Sequence, residues 1–153
     1  GDGPGAGDEH RGLFDAVLIK DNHLALGADP AAGNSVRYTP AEAVRRARQF
    51  LAGQTGAASG AAIVEVEVDT LEQLDEVLAA APDIVLLDNM SPAMLAEAVA
   101  RRNAAGSAAE LEASGGVSLA TVRPIALSGV ERISVGALTH SAVCLDVGLD
   151  WVS

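Results

Sequence analysis

Lysine is almost missing from this sequence: Lys20 is the only one, and every other basic side chain is an arginine. Cysteine is equally scarce. With Cys144 alone, no internal disulfide can form, and a reducing cytoplasm is the expected compartment. Its surroundings, AVCLDV, give it the role of a small core residue. Aromatics make up 3% of the chain, while alanine and glycine abound, as suits α/β layers with close helix–sheet contacts. Positive charge is short overall. The formal net charge of -11 excludes a general role in gripping nucleic acid or an anionic membrane. Any anionic ligand must be held by a local cationic site working against that field. No apolar run approaches the length of a membrane span, and the opening residues do not read as a secretory leader.

What is present suits one domain of 153 residues with a modest core. Residues 1–12, GDGPGAGDEHRG, form a glycine-rich lead-in loop that runs straight into a buried-looking strand. Domains seldom begin that way, so an upstream part is expected to be missing. From residue 13 to 153, short apolar runs alternate with helical patterns. The runs are AVLI (16–19), AIVEVEV (62–68), DIVLLD (83–88), AELEAS (109–114) and RISVGAL (132–138). Between them the helix starts are marked: Thr39 to Glu42 and Thr70 to Gln73 spell capping boxes, and Ser91-Pro92 sets a cap before a first-turn proline. Leu71, Leu74, Val77 and Leu78 recur at a helical period, as do Leu95, Ala98 and Val99. Pro124 stands as a local conflict, expected to kink or shorten the last helix.

Strand, helix, strand in succession predicts right-handed βαβ units and a parallel sheet. Five strands are too few to close an eight-stranded barrel, and a doubly wound sheet stays open as an alternative. Polar residues at the carboxyl end of every strand favour the barrel. The fold class is therefore α/β, an incomplete (β/α) barrel with parallel strands and its first part absent.

Those strand ends carry the chemistry. They read Lys20-Asp21-Asn22-His23, Glu65-Val-Glu67-Val-Asp69, Asp88-Asn89, Ser114-Gly115-Gly116, and Gly136-Ala137 followed by Thr139-His140. The two-residue period puts Glu65, Glu67 and Asp69 on one face and Val64, Val66 and Val68 on the other. Glu65 reads equally well as an acidic edge position facing water. Glu67, with Asp88 one strand over, reads as a site, because a buried carboxylate is costly without a partner or ligand. Such a pair can accept hydrogen bonds from a vicinal diol, hold Mg²⁺, or both. Glycines ending the last two strands let an oxyanion approach the backbone, with helix N–H groups completing the site. The residues thus describe a pocket for a sugar phosphate, with Lys20 and Arg11 supplying charge for an anionic co-substrate. Lysine is a compact point charge where arginine is a planar fork, which accounts for one lysine being kept.

As a set, HRGLFDAVLIKDNH, VEVEVDTLEQLDE, IVLLDNMSP, LEASGGVSL and ISVGALTHSA…LDVGLD resemble the carboxyl-terminal barrel of the quinolinate phosphoribosyltransferases, also called nicotinate-nucleotide pyrophosphorylases (carboxylating). The resemblance runs in order from His10 to the end. It implies that quinolinate attacks C1 of phosphoribosyl pyrophosphate with Mg²⁺ present, that pyrophosphate leaves, and that the 2-carboxylate is lost to give nicotinate mononucleotide for NAD biosynthesis. By that resemblance His10, Arg11 and Lys20 contact the anionic substrates, and Glu67 and Asp88 bind the ribose hydroxyls and the metal. Ser114, Gly115, Gly136 and His140 hold the 5′-phosphate. Lys20, Glu67 and Asp88 are the expected catalytic set, and a homodimer is implied for the full-length protein.

The sequence also departs from the family pattern. Glu9 stands where the family has an asparagine. The family's amino-terminal α+β domain and a cationic Thr-Arg-Lys segment are not found before His10, so little turnover is expected of this chain alone. Two other readings use the same residues: a non-catalytic phosphate-binding module, and the molybdenum-operon paralogue of the same fold. No Ser-His-Asp triad is spelled out, and the three histidines lack zinc spacing.

Overall fold

The apolar runs become strands and the capped stretches between them become helices. The computed structural model describes residues 16–20, 38–53, 62–135 and 143–146. The lead-in loop 1–12, together with His10, Arg11, His23, Gly136 and His140, lies outside the described residues. In chain order the elements are β1 (Ala16–Ile19), α1 (Pro40–Ala52), β2 (Ile63–Val68), α2 (Leu71–Ala79), β3 (Ile84–Asp88), α3 (Pro92–Ala104), β4 (Glu110–Ser114), α4 (Val122–Leu127), β5 (Arg132–Val135) and β6 (Val143–Asp146).

The caps explain where the helices begin. Thr39 Oγ1 accepts from the Glu42 N–H, and Glu42 Oε2 accepts from the Thr39 N–H, at 3.2 and 2.9 Å. This reciprocal box satisfies two donors that the first turn leaves unpaired. Ser91 Oγ does the one-sided version for Met94 N–H, with Pro92 following it in the first turn. At Thr70 the expected box is only half formed. Thr70 Oγ1 takes the Gln73 N–H, but Gln73 Oε1 reaches one residue further back to the Asp69 N–H at 3.0 Å. Pro124 goes with a shortened last helix, as expected, but not by falling past its first turn. Because α4 starts only at Val122, the proline falls within its first turn, where no intrahelical donor is lost. A helix begun earlier would bring its ring against a carbonyl one turn back, so α4 is late and short.

Strands β1 to β5 are parallel and lie side by side in sequence order. That order settles the choice between architectures, since a doubly wound sheet reverses its strand order at a switch point. All four described helices contribute to one core: Val44 of α1, Leu74 and Val77 of α2, Leu95 of α3 and Ile125 of α4 join Val64, Val66, Val85, Leu87, Leu111 and Ile133 of the sheet. The helices therefore cover a single face, as in a barrel wall. The sheet is not closed; β1 and β6 are its edges.

The sixth strand was not foreseen, and it runs antiparallel to β5. Its direction follows from chain length. The seven residues 136–142 are too few for a parallel crossover, which takes about a dozen or more. Cys144 lies in this strand.

Candidate active site

Register decides which side chains share the face that no described helix covers. Leu18 pairs with Glu65, Glu65 with Ile84, Glu67 with Leu86, and Leu86 with Glu112. Asp88 pairs with Ser114, and Ser114 with Ser134. Paired residues of neighbouring strands point the same way, and alternate residues along a strand do too. Lys20, Glu65, Glu67, Asp88, Glu112, Ser114 and Arg132 are therefore on one face, opposite the helix-packed valines. Continued one residue past Ile19, the register brings Lys20 level with Glu67. Lys20, Glu67, Asp88, Ser114 and Gly115 accordingly end up at the carboxyl ends of four adjacent strands. β2 lies between two neighbours, which rules out the edge-strand reading of Glu65.

Charge on this face is arranged in a descending order of exposure. Lys20 is exposed at the rim, Glu65 and Glu67 are half-buried, and Glu112 is 7% exposed. Burial pushes the Glu65 carboxyl above its ordinary value and the Glu112 charge adds to this, while Arg132 and Lys20 oppose it. Burial likewise raises Glu112, with Arg132 opposing and Glu110 adding. Arg132 Nη2 forms an ion pair with Glu110 Oε2 at 2.9 Å. Glu112 and Arg132 were missed in the sequence, although the period that picked out Glu65 and Glu67 applies equally to Glu110, Glu112 and Ser114.

The turns at the rim are built closely together. Asn89 has φ +52°, and its N–H donates to Ser114 O at 2.8 Å. Gly115 and Gly116 follow with φ of +76° and +65°, a region side chains rarely adopt. A Cβ on Gly115 would lie 3.1 Å from Asp88 Oδ1, so the carboxylate occupies the space the glycine leaves. Thr121 closes the turn: its hydroxyl donates to Gly116 O at 3.2 Å and accepts the Ser118 N–H at 2.8 Å. Sequence inspection passed over Thr121, which sits at the N-cap of α4 without making a side-chain cap bond there. Between the glycines and α4 stands this turn over 117–121, so the helix does not follow the glycines directly.

The donor set is compatible with Mg²⁺ held partly by a substrate. Among the described residues no group of three or more His, Cys, Asp or Glu could cage an ion. Mg²⁺ commonly uses one or two carboxylates plus substrate phosphates and water, and Glu67 with Asp88 fits that pattern. Among the described residues no helix is long and apolar enough to cross a membrane.

Comparison with known proteins agrees with this fold. The chain is 44% identical over 147 residues to the nicotinate-nucleotide pyrophosphorylase (carboxylating) of Mycobacterium leprae (strain TN), covering 95% of this chain and 45% of that protein. It is 38% identical over 149 residues to the probable nicotinate-nucleotide pyrophosphorylase (carboxylating) of Bacillus subtilis (strain 168), covering 95% of this chain and 44% of that one. The solved nicotinate-nucleotide pyrophosphorylase of Ehrlichia chaffeensis superimposes with a TM-score of 0.60 at 35% identity, over 88% of this chain and 41% of that one. This chain thus spans about half the length of the curated relatives it matches. With residues 4–150 matching the C-terminal domain of quinolinate phosphoribosyl transferase, the chain belongs to the quinolinate phosphoribosyltransferase family.

Proposed function

We propose that this chain forms the phosphoribosyl-binding part of an enzyme that transfers the phosphoribosyl group of phosphoribosyl pyrophosphate to quinolinate. The N–C1 bond forms as the C1–O bond to pyrophosphate breaks. Loss of the 2-carboxylate as CO₂ then leaves a carbanion at C2, which takes a proton from solvent to give nicotinate mononucleotide. The observation that carries this reading is the meeting of Lys20, Glu67, Asp88 and Ser114 on one face at adjacent strand ends, in a chain of this family.

Each residue has a role suited to its chemistry. Glu67 and Asp88 accept hydrogen bonds from the ribose hydroxyls and orient C1, which gains positive charge as pyrophosphate departs. Their negative charge favours that oxocarbenium-like state. Ser114 and Gly115, with Gly136 and His140 carried over from the resemblance, hold the 5′-phosphate on backbone N–H groups and a hydroxyl. Lys20, with His10 and Arg11 likewise carried over, attracts the quinolinate carboxylates and stabilises the carbanion left by decarboxylation. Glu67 and Asp88 would hold Mg²⁺ together with substrate oxygens, and the ion would supply neutralisation of the pyrophosphate charge. Cytoplasmic location and homodimer assembly in the full-length protein belong to the same proposal. The net charge of -11 supports a small-molecule substrate over nucleic acid.

The test is to isolate the polypeptide from its source cell, record its intact mass, and supply it with quinolinate, phosphoribosyl pyrophosphate and Mg²⁺. Formation of nicotinate mononucleotide with stoichiometric pyrophosphate and CO₂ is expected. A native polypeptide that consumes neither substrate would overturn the proposal.

A further inference from the structure

We propose that Asn89 is a positioning residue for Asp88, acting through the glycine turn after β4, so that the carboxylate end and the phosphate end of the pocket move as one piece. The inference rests on the proposed phosphoribosyl site and adds to it a residue outside the expected ligand set.

The chain must reverse immediately after Asp88. Asn89 does this at φ +52°, in the left-handed region where asparagine is among the few residues tolerated without glycine's freedom. The peptide that leads into this turn is fixed as well: the Asn89 N–H donates to Ser114 O at 2.8 Å. That bond extends the β3–β4 ladder past its last register pair, Asp88 with Ser114. Asp88 is thereby held between paired backbone on both sides.

Side chains then fit into glycine spaces. The nearest atoms to a Cβ built on Gly115 are Asp88 Oδ1 at 3.1 Å, Asn89 N at 3.4 Å and Asn89 Cα at 3.7 Å. The nearest to one on Gly116 is Asn89 Oδ1 at 3.4 Å. Gly115 is therefore more than a place for an oxyanion to approach the backbone. It is also the seat of the Asp88 carboxylate, and Gly116 is the seat of the Asn89 amide. Met90 and Leu95 beyond the turn are buried in the core, so a residue at 89 that resists the left-handed region has to be accommodated by rotating the 88–89 peptide, which turns its N–H away from Ser114 O and carries Asp88 out of its seat.

Two series of variants test this. In the first, ribose 5-phosphate and inorganic phosphate are titrated into the wild-type chain, Asn89→Ala and Asn89→Gly. Asn89→Gly, which adopts positive φ freely, is expected to retain ribose 5-phosphate affinity within about threefold. Asn89→Ala is expected to weaken it about tenfold and to lower its ratio to inorganic phosphate affinity, since the hydroxyl-binding end is what moves. Equal losses in the two variants would make the amide itself the important group and overturn the inference; no loss in either would do the same. In the second series, melting temperatures are compared for Asn89→Ala, Gly115→Ala and the double variant. Both changes strain one junction, so their effects are expected to be non-additive, and additive effects would overturn the inference. If the wild-type chain binds no ribose 5-phosphate, the phosphoribosyl reading fails, and this cycle decides the junction on its own.

Discussion

Burial raises the proton affinity of Glu112, and the sign of that shift sets how stability responds to pH. The charged groups that act on it are Arg132 and Glu110, and its own charge acts in turn on Glu65. A carboxyl whose folded-state value is raised favours the fold below the ordinary value of 4.5 and loses that contribution as pH rises through the folded value. Raising the pH toward 7 therefore costs stability through this group. Glu112→Gln should melt higher than the wild type at pH 7, each kcal/mol of relief being worth about 2–4 °C in a chain of this size. The advantage should close as pH falls toward 4.5. Melting curves across that range check it, and an advantage independent of pH would assign the effect to packing. Lys20 makes the other residue-scale prediction. In the active polypeptide, Lys20→Arg should keep the charge yet reduce turnover on the order of 100-fold, because a guanidinium cannot occupy the place of an ammonium. Near-normal turnover would remove the reason offered for the single lysine. The placement of Lys20, Glu67 and Asp88 at strand ends was legible because charge is conspicuous at the end of an apolar run. Asn89 was not, since its role lies in a backbone angle that no pattern of residue types displays.

At the scale of elements, one device appears twice at the foot of the sheet. Arg48 of α1 donates to Ala81 O at 2.7 Å and to Asp83 Oδ2 at 2.9 Å, and that same oxygen accepts the Val64 N–H. Arg102 of α3 donates to Ala109 O at 2.9 Å and to Glu131 Oε1 at 2.6 Å, while Glu131 Oε2 accepts the Leu111 N–H. Each arginine thus ties a helix to the start of two strands. Their surroundings differ: the side chains of Arg102 and Glu131 are 11% and 33% exposed, those of Arg48 and Asp83 36% and 42%. Arg102→Met should therefore cost about 3 kcal/mol, since it leaves a partly buried carboxylate, and Arg48→Met about 1 kcal/mol or less. Denaturant unfolding of the two variants makes the comparison, with equal costs counting against burial as the cause. Ala81, the residue after the α2 cap, holds φ +56°. Ala81→Gly should stabilise the protein by about 1 kcal/mol by relieving that left-handed alanine, visible as a higher unfolding midpoint. The helices themselves were legible from Thr39, Thr70, Ser91 and the apolar periods. The clamps were not, because Arg102 and Glu131 are 29 residues apart in sequence and meet only through the sheet.

For the whole molecule, the order of five parallel strands with helices on one face leaves a polar face lined by Lys20, Glu65, Glu67, Asp88, Glu112 and Arg132. The sequence disclosed this face through alternation within single strands, and register then brought the alternations into line. It did not disclose β6, whose AVCLDV run resembles any short core segment until the length of the preceding connection is considered. The proposal that the mouth of this face binds a phosphoribosyl group through Glu67 and Asp88 is the central one. The most direct measurement is calorimetric titration of phosphoribosyl pyrophosphate with Mg²⁺ into the wild-type chain, Glu67→Ala and Asp88→Ala. Saturable binding to the wild type is predicted, weakened at least about tenfold in each variant, as loss of a charged hydrogen-bond acceptor implies. Equal affinity in all three proteins would contradict the account.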